Sequence, residues 1–144
     1  MAGDDQPARI DDVAFYTHLR GRIEHEDSLI VSRLTWLMAS ESFLFTAYAI
    51  VVNGVPTALS GHTRLIPLIA VVGIVSSALI FVGIVAAIRG IAWLRDQLRT
   101  RIPDVAALGL PPIHAPQSIV LAGLLAPVAL PLAFIAVWLY LLAS

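Results

Sequence analysis

The chain has 144 residues, of which 58% are hydrophobic and 13% are charged, with a net charge of −1. Charged residues make up about a quarter of an average soluble domain. The composition therefore excludes an ordinary soluble protein and indicates an integral membrane protein. The absence of cysteine excludes disulfides, thiolate metal ligands and thiol catalysis.

The N-terminal segment, residues 1–33, is polar and begins MAGDDQPARIDD. It lacks the basic start and short apolar stretch of a cleavable signal peptide, so we expect the first membrane helix to target the protein. No proline and only two glycines, Gly21 and Gly54, occur between Asp11 and Val55. The segment is therefore predicted to be an amphipathic cytoplasmic helix that continues into the first span.

Three apolar runs are long enough to cross a bilayer, which takes about 20 residues per helix. They cover residues 34–55, 65–88 and 119–143. Residues 89–118 are predicted to form a cytoplasmic extension of the second helix up to Pro103, followed by a proline-rich loop at the interface or on a partner. The predicted fold is all-α, a single membrane domain over residues 1–144.

The arginines beside the spans predict the orientation. Four precede the first span and four follow the second, whereas the loop PTALSGHTR between these spans carries only Arg64. By the positive-inside rule, the N-terminus and the long loop face the cytoplasm and the C-terminus faces outward. Trp36 and Trp93 are then interface anchors at the inner boundary, and Trp138 is one at the outer boundary.

A stripe of alternating charged and apolar residues runs along the first helix. At 100° per residue it includes Arg22, Glu26 and Arg33. We expect these side chains to meet Asp96 and Arg99 of the second helix in a charge network beneath the membrane. The alternative is a solvated face, whose exposed ion pairs contribute about 0.2–1 kcal/mol each.

Glu41 lies about two turns inside the first predicted span. An acidic residue at the centre of a membrane helix costs about 2.5–3.5 kcal/mol, so its side chain should face protein or water. Neighbouring Ser40 and Tyr48 are candidate polar partners. Three interpretations stay open: a hydrogen-bonded packing residue that fixes helix register, a carboxylate ring in a pore, or a site for a proton, an ion, a pigment or a lipid headgroup.

Catalytic and metal-binding patterns find little support. His18 and His25 are two turns apart, about 10 Å, and HEDSL lacks the second histidine of a zinc-protease motif. His62 and His114 fall on opposite sides of the membrane, and no span contains a histidine that could ligate haem. There is no P-loop and no nucleophile elbow. We expect no enzyme activity, no metal and no cofactor.

The stretch EHEDSLIVSRLTWLMASESFLFTAYAI resembles the start of small bacterial multi-pass membrane proteins with no assigned function. The resemblance rests on Glu26, Arg33, Trp36 and Glu41, and it implies a bacterial inner membrane. Small residues four apart, as in Gly73-xxx-Ser77, favour close helix contacts.

Two functions remain under consideration. The first is a non-catalytic subunit that packs with other membrane subunits, for example of a bioenergetic assembly, or with identical copies. The second is a homo-oligomeric ion channel lined by Glu41. The lipid bilayer is the expected environment, and no nucleic acid partner is expected.

Overall fold

The computed structural model describes the backbone of residues 5–54, 62–111 and 117–143, and the side chains of 10–54, 65–111 and 123–143. Over these ranges it contains no strand and three α-helices: α1 (Asp5–Asn53), α2 (His62–Arg101) and α3 (Gln117–Ala143), with a short 3-10 helix at Ala106–Leu108. All three α-helices are long and apolar enough to cross a membrane. The prediction of an all-helical protein with three candidate membrane helices is confirmed.

Parts of two predicted loops lie outside the described residues. These are residues 55–61, which include much of PTALSGHTR, and residues 112–116, which include His114 in the proline-rich stretch. The side chain of His62 also lies outside the described set.

Helices α1 and α2 are much longer than a bilayer is thick. At 1.5 Å per residue, α1 with 49 residues and α2 with 40 residues reach about 73 Å and about 60 Å, whereas the hydrocarbon core measures about 30 Å. No break separates the polar N-terminal part of α1 from its apolar part. Both helices therefore continue well beyond any single membrane span.

A regular seam joins α1 to α2. The buried positions of each helix are spaced by three, four or seven residues, the pattern of a coiled-coil interface. In α2 they include Ala70, Gly73, Ser77, Ile84, Ala87, Ile91, Leu94 and Leu98, and in α1 they include Tyr16, Leu19, Ile23, Ile30, Leu37 and Glu41. The helices run antiparallel, since Arg33 contacts Gly83 and Glu41 contacts Ser77.

Polar and cation–π contacts join the N-terminal part of α1 to the C-terminal end of α2 and the segment that follows it. Arg101 Nη2 donates to Asp11 Oδ2 at 2.6 Å, and its guanidinium lies 4.3 Å from the centroid of the Phe15 ring. Tyr16 donates its hydroxyl to the carbonyl oxygen of Pro111 at 2.7 Å. Exposed ion pairs contribute only about 0.2–1 kcal/mol to stability. The apolar seam and the Tyr16 hydrogen bond therefore contribute more to the stability of this contact.

Helix α3 packs mainly on α2, with Trp138 placed directly over Gly73. A Cβ atom on Gly73 would overlap the indole ring of Trp138. Towards the other end of α3, Leu124 lies beside Ile88 around a shared cavity, so α3 is antiparallel to α2. Gly73 thus sets how closely α3 can approach α2.

We expect Gly73→Ala to destabilise the protein by about 1–3 kcal/mol, the usual cost of overpacking a filled site, because the indole must move. Gly90→Ala is the matched control, since a Cβ there meets no atom within 4 Å. Unfolding in mixed micelles, followed for both variants, measures the difference. Equal stability of Gly73→Ala and Gly90→Ala would contradict the packing described for Trp138.

Candidate functional site

The carboxyl group of Glu41 joins all three helices. Its side chain is completely buried. Oε1 accepts hydrogen bonds from Ser77 of α2 at 2.8 Å and from Ser76 at 3.0 Å, and Oε2 accepts one from Trp138 Nε1 of α3 at 2.6 Å. An acidic side chain placed among apolar helices is therefore bound on both oxygens by protein donors.

The bonds around Glu41 accommodate a carboxylate and a protonated acid. An indole N–H can only donate, so Oε2 accepts its hydrogen bond, whereas Oε1 faces the hydroxyl groups of Ser76 and Ser77, which can donate or accept. Ser76 Oγ also lies 3.0 Å from the carbonyl oxygen of Gly73. When Ser76 gives its single hydrogen to Gly73, its own oxygen can accept a hydrogen from Oε1. Neither state leaves a carboxyl oxygen without a partner.

An aromatic and aliphatic shell encloses this group. Leu37 and Trp138 are completely buried. Phe45 stacks on the Trp138 ring with centroids 4.4 Å apart, and Tyr48 meets it edge-on at 5.8 Å. Hydrogen bonds in such a low-dielectric environment are stronger than in water, and an unpaired polar atom there is correspondingly costly.

The hydroxyl groups that partner Glu41 come from α2 and not from α1. Ser40, expected beside Glu41, instead donates to the carbonyl oxygen of Leu37 at 3.0 Å. Ser42 bonds back to Met38 in the same way. Tyr48 does lie in the Glu41 layer, but it contacts the Trp138 ring. Intrahelical bonding of the α1 hydroxyls explains the difference.

Arg33, a member of the predicted charge network, also bonds to α2. Its Nη1 donates to the carbonyl oxygen of Gly83 at 3.1 Å. A Cβ on Gly83 would lie 3.5 Å from Arg33 Nε, so the guanidinium packs directly on the helix backbone. Glu41 and Arg33, about 12 Å apart along α1, thus each reach a separate partner on α2.

The other members of the predicted network lie at or near the surfaces of α1 and α2. Arg22 and Glu26 border a surface depression together with His18 and His25. Asp96 and Arg99 are exposed on α2. An ion pair that joins the extension of α2 to α1 is formed by Arg101 with Asp11, which the sequence analysis did not single out.

The three tryptophans separate into two environments. Trp36 is 72% exposed and Trp93 is 58% exposed, as side chains at a membrane boundary would be. Trp138 was expected to face the outer boundary as an anchor, but none of its side chain is exposed. The reason is its N–H bond to Glu41, together with the space that Gly73 leaves for the ring.

Sequence reasoning missed Ser76, Ser77 and Trp138 as partners of Glu41. The available signal was Gly73-xxx-Ser77, read as a generic small-residue contact. Ser77 is completely buried, which a merely lipid-facing serine would not be. The pattern that predicts this contact is an acidic residue in one span, Glu41, together with small and hydroxyl residues in the next span, Gly73 and Ser77.

Comparison of the chain with protein-family models, with curated proteins and with solved structures finds no match. A function must therefore be argued from the geometry of the chain itself.

The Glu41 contact predicts that an apolar substitution at this intramembrane position lowers the stability of the protein. Glu41→Met should destabilise the protein by about 1–3 kcal/mol, because Trp138 Nε1 and Ser77 lose their acceptor. Glu41→Gln should be much milder, since its amide oxygen can accept from Trp138 while its NH2 donates to the serines. Unfolding free energies of the two variants in bilayers or micelles measure the difference.

A double-mutant cycle of Glu41→Met with Trp138→Phe isolates the contact between α1 and α3. Measured coupling energies of such intramembrane bonds average about 0.6 kcal/mol and reach about 1.7 kcal/mol. Strictly additive effects, or a Glu41→Met variant more stable than the parent, would contradict the contact between Glu41 and Trp138.

Proposed function

We propose that the protein is a non-catalytic small subunit of a membrane assembly, packing through its helices against other subunits or identical copies. The observation that carries this proposal is the internal bonding of Glu41. Both carboxyl oxygens are bound by α2 and α3, so the most conspicuous polar group of the membrane region serves the fold of the chain.

The outer surface of the helices supports the same proposal. Large apolar side chains are exposed on every helix, among them Phe43 at 74%, Leu79 at 68% and Leu125 at 70%. Such a surface suits lipid and the apolar faces of neighbouring membrane helices. The proposed location is a bacterial inner membrane, with the N-terminus in the cytoplasm and the C-terminus outside. The arginine distribution and the resemblance of residues 22–50 support this location.

The alternative of a homo-oligomeric channel lined by Glu41 needs that carboxyl on an outer face, where copies of the chain could form a ring. Its complete burial among Ser77, Trp138 and Leu37 weighs against this arrangement. Of the three interpretations of Glu41, the packing residue that fixes helix register agrees best with these contacts.

Extraction of the tagged chain from its native membrane in mild detergent tests the proposal. We expect a particle heavier than one chain, containing other membrane proteins or several copies. A particle that contains a single copy of the chain and no other protein would contradict the subunit role. Purified chain in vesicles should conduct no more ions than empty vesicles, and a flux that Glu41→Gln alters would favour the channel.

Because the chain contains no cysteine, single cysteines can map the contact face directly. Phe43→Cys, Leu79→Cys and Leu125→Cys place one thiol on the exposed face of each helix. In native membranes, a thiol covered by a partner should react slowly with a lipid-soluble maleimide and become reactive once the chain is purified. Equal reactivity of all three positions in both preparations would argue against a specific contact face.

A further inference from the structure

Arg95 of α2 contains a buried polar atom without a partner. Its Nε forms no hydrogen bond and has almost no accessible surface, alone among the buried side-chain nitrogens and oxygens of the described residues. A guanidinium is always charged and can only donate. Buried polar groups normally find a partner, so an orphan indicates a ligand or water that completes the site.

Two cavities share Arg95 and Asp27 as lining residues. The first, about 140 Å³, is mostly apolar and is bordered by Ile88, Ile91, Ala92 and Leu124. The second, about 300 Å³, is more polar and is bordered by Tyr16, Arg20, Ile23, Glu24 and Pro111. A molecule with an apolar part and a charged part would fill both and place its charge at Arg95.

The helix register places Arg95 near the surface of a bilayer. Trp138 faces Gly73 and Leu124 neighbours Ile88, so the same antiparallel register brings the start of α3 at Gln117 level with Arg95. Helix α3 has 27 residues and measures about 40 Å, close to the thickness of a bilayer with its headgroups. The apolar cavity then lies on the membrane side of Arg95.

The charges around the two cavities restrict the ligand. Arg20 already pairs with Glu24 at 2.9 Å, so the guanidinium of Arg95 is the cation available to an anion. The carboxylate of Asp27 borders the same polar cavity, whereas that of Glu24 is already paired with Arg20. Asp27 would attract a cationic group and repel a second negative charge, which favours a zwitterion over a purely anionic headgroup.

We propose that this pair of cavities binds one glycerophospholipid with a zwitterionic ethanolamine headgroup. The lipid phosphate accepts charge-assisted hydrogen bonds from Arg95, and the ammonium group lies towards Asp27. Part of an acyl chain occupies the apolar cavity beside Ile88 and Leu124. The site does not depend on the proposed subunit role.

Lipid binding to the purified, delipidated full chain tests this proposal. Phosphatidylethanolamine, phosphatidylglycerol and inorganic phosphate are added separately, and native mass spectrometry and thermal unfolding are recorded. We expect one phosphatidylethanolamine per chain and a higher unfolding temperature with that lipid than with the other two. Equal binding of phosphatidylglycerol would contradict the preference for a zwitterionic headgroup. Equal stabilisation by inorganic phosphate would contradict the claim that the site binds a whole lipid.

Variants locate the binding site. Arg95→Gln should weaken phosphatidylethanolamine binding about tenfold or more, as expected for the loss of a charged hydrogen bond. Arg22→Gln is the matched control, because it removes the same charge from an exposed position on α1 that borders neither cavity. Unchanged binding by Arg95→Gln, or an equal loss with Arg22→Gln, would overturn the site.

Two further substitutions keep the test decisive if Arg95→Gln fails to fold. Leu124→Trp fills the apolar cavity and should weaken lipid binding without changing the headgroup preference. Asp27→Asn should narrow the preference for phosphatidylethanolamine over phosphatidylglycerol. Wild-type binding and preference in both variants would overturn the proposal.

Discussion

A carboxyl group inside a bilayer must be paired, and the helix arrangement depends on how this chain pairs Glu41. The partners come from two other helices: Ser76 and Ser77 on α2, and Trp138 on α3. Apolar helices slide and rotate in lipid at little cost, because lipid tails solvate them as well as protein does. Three directional bonds to one group fix rotation and depth together, and Gly73 provides the space that lets the Trp138 indole reach it.

Outside this layer, different forces hold α1 and α2. The seam of Ile23, Ile30, Ile91, Leu94 and Leu98 has coiled-coil spacing, in which apolar side chains of the two helices pack against each other. Arg33 on Gly83 forms a polar contact between this seam and the Glu41 layer. The two long helices thus form one continuous hairpin, on which the shorter α3 packs only along its apolar part.

The sequence predicts the elements of this fold better than their contacts. Apolar runs and the lack of proline between Asp11 and Val55 are local signals, and they correctly indicate three long helices. Glu41 could be recognised as a residue that avoids lipid, because its cost in lipid is a property of the residue alone. Its partners depend on the register between helices far apart in the chain, which no local pattern encodes. The local pattern therefore predicts Trp138 at the boundary and Ser40 beside Glu41, whereas Trp138 and Ser77 form the bonds to Glu41.

Solid-state NMR in lipid bilayers tests the contact between Glu41 and Trp138 most directly. It measures the dipolar coupling between the 13C-labelled carboxyl of Glu41 and the 15N-labelled indole of Trp138. Trp36→Phe and Trp93→Phe leave Trp138 as the single indole of the three in the chain. The 2.6 Å separation of Nε1 and Oε2 predicts strong coupling, which Glu41→Gln labelled at its side-chain carbonyl should retain. No coupling in a folded, bilayer-embedded chain would contradict the claim that Glu41 joins α1 to α3.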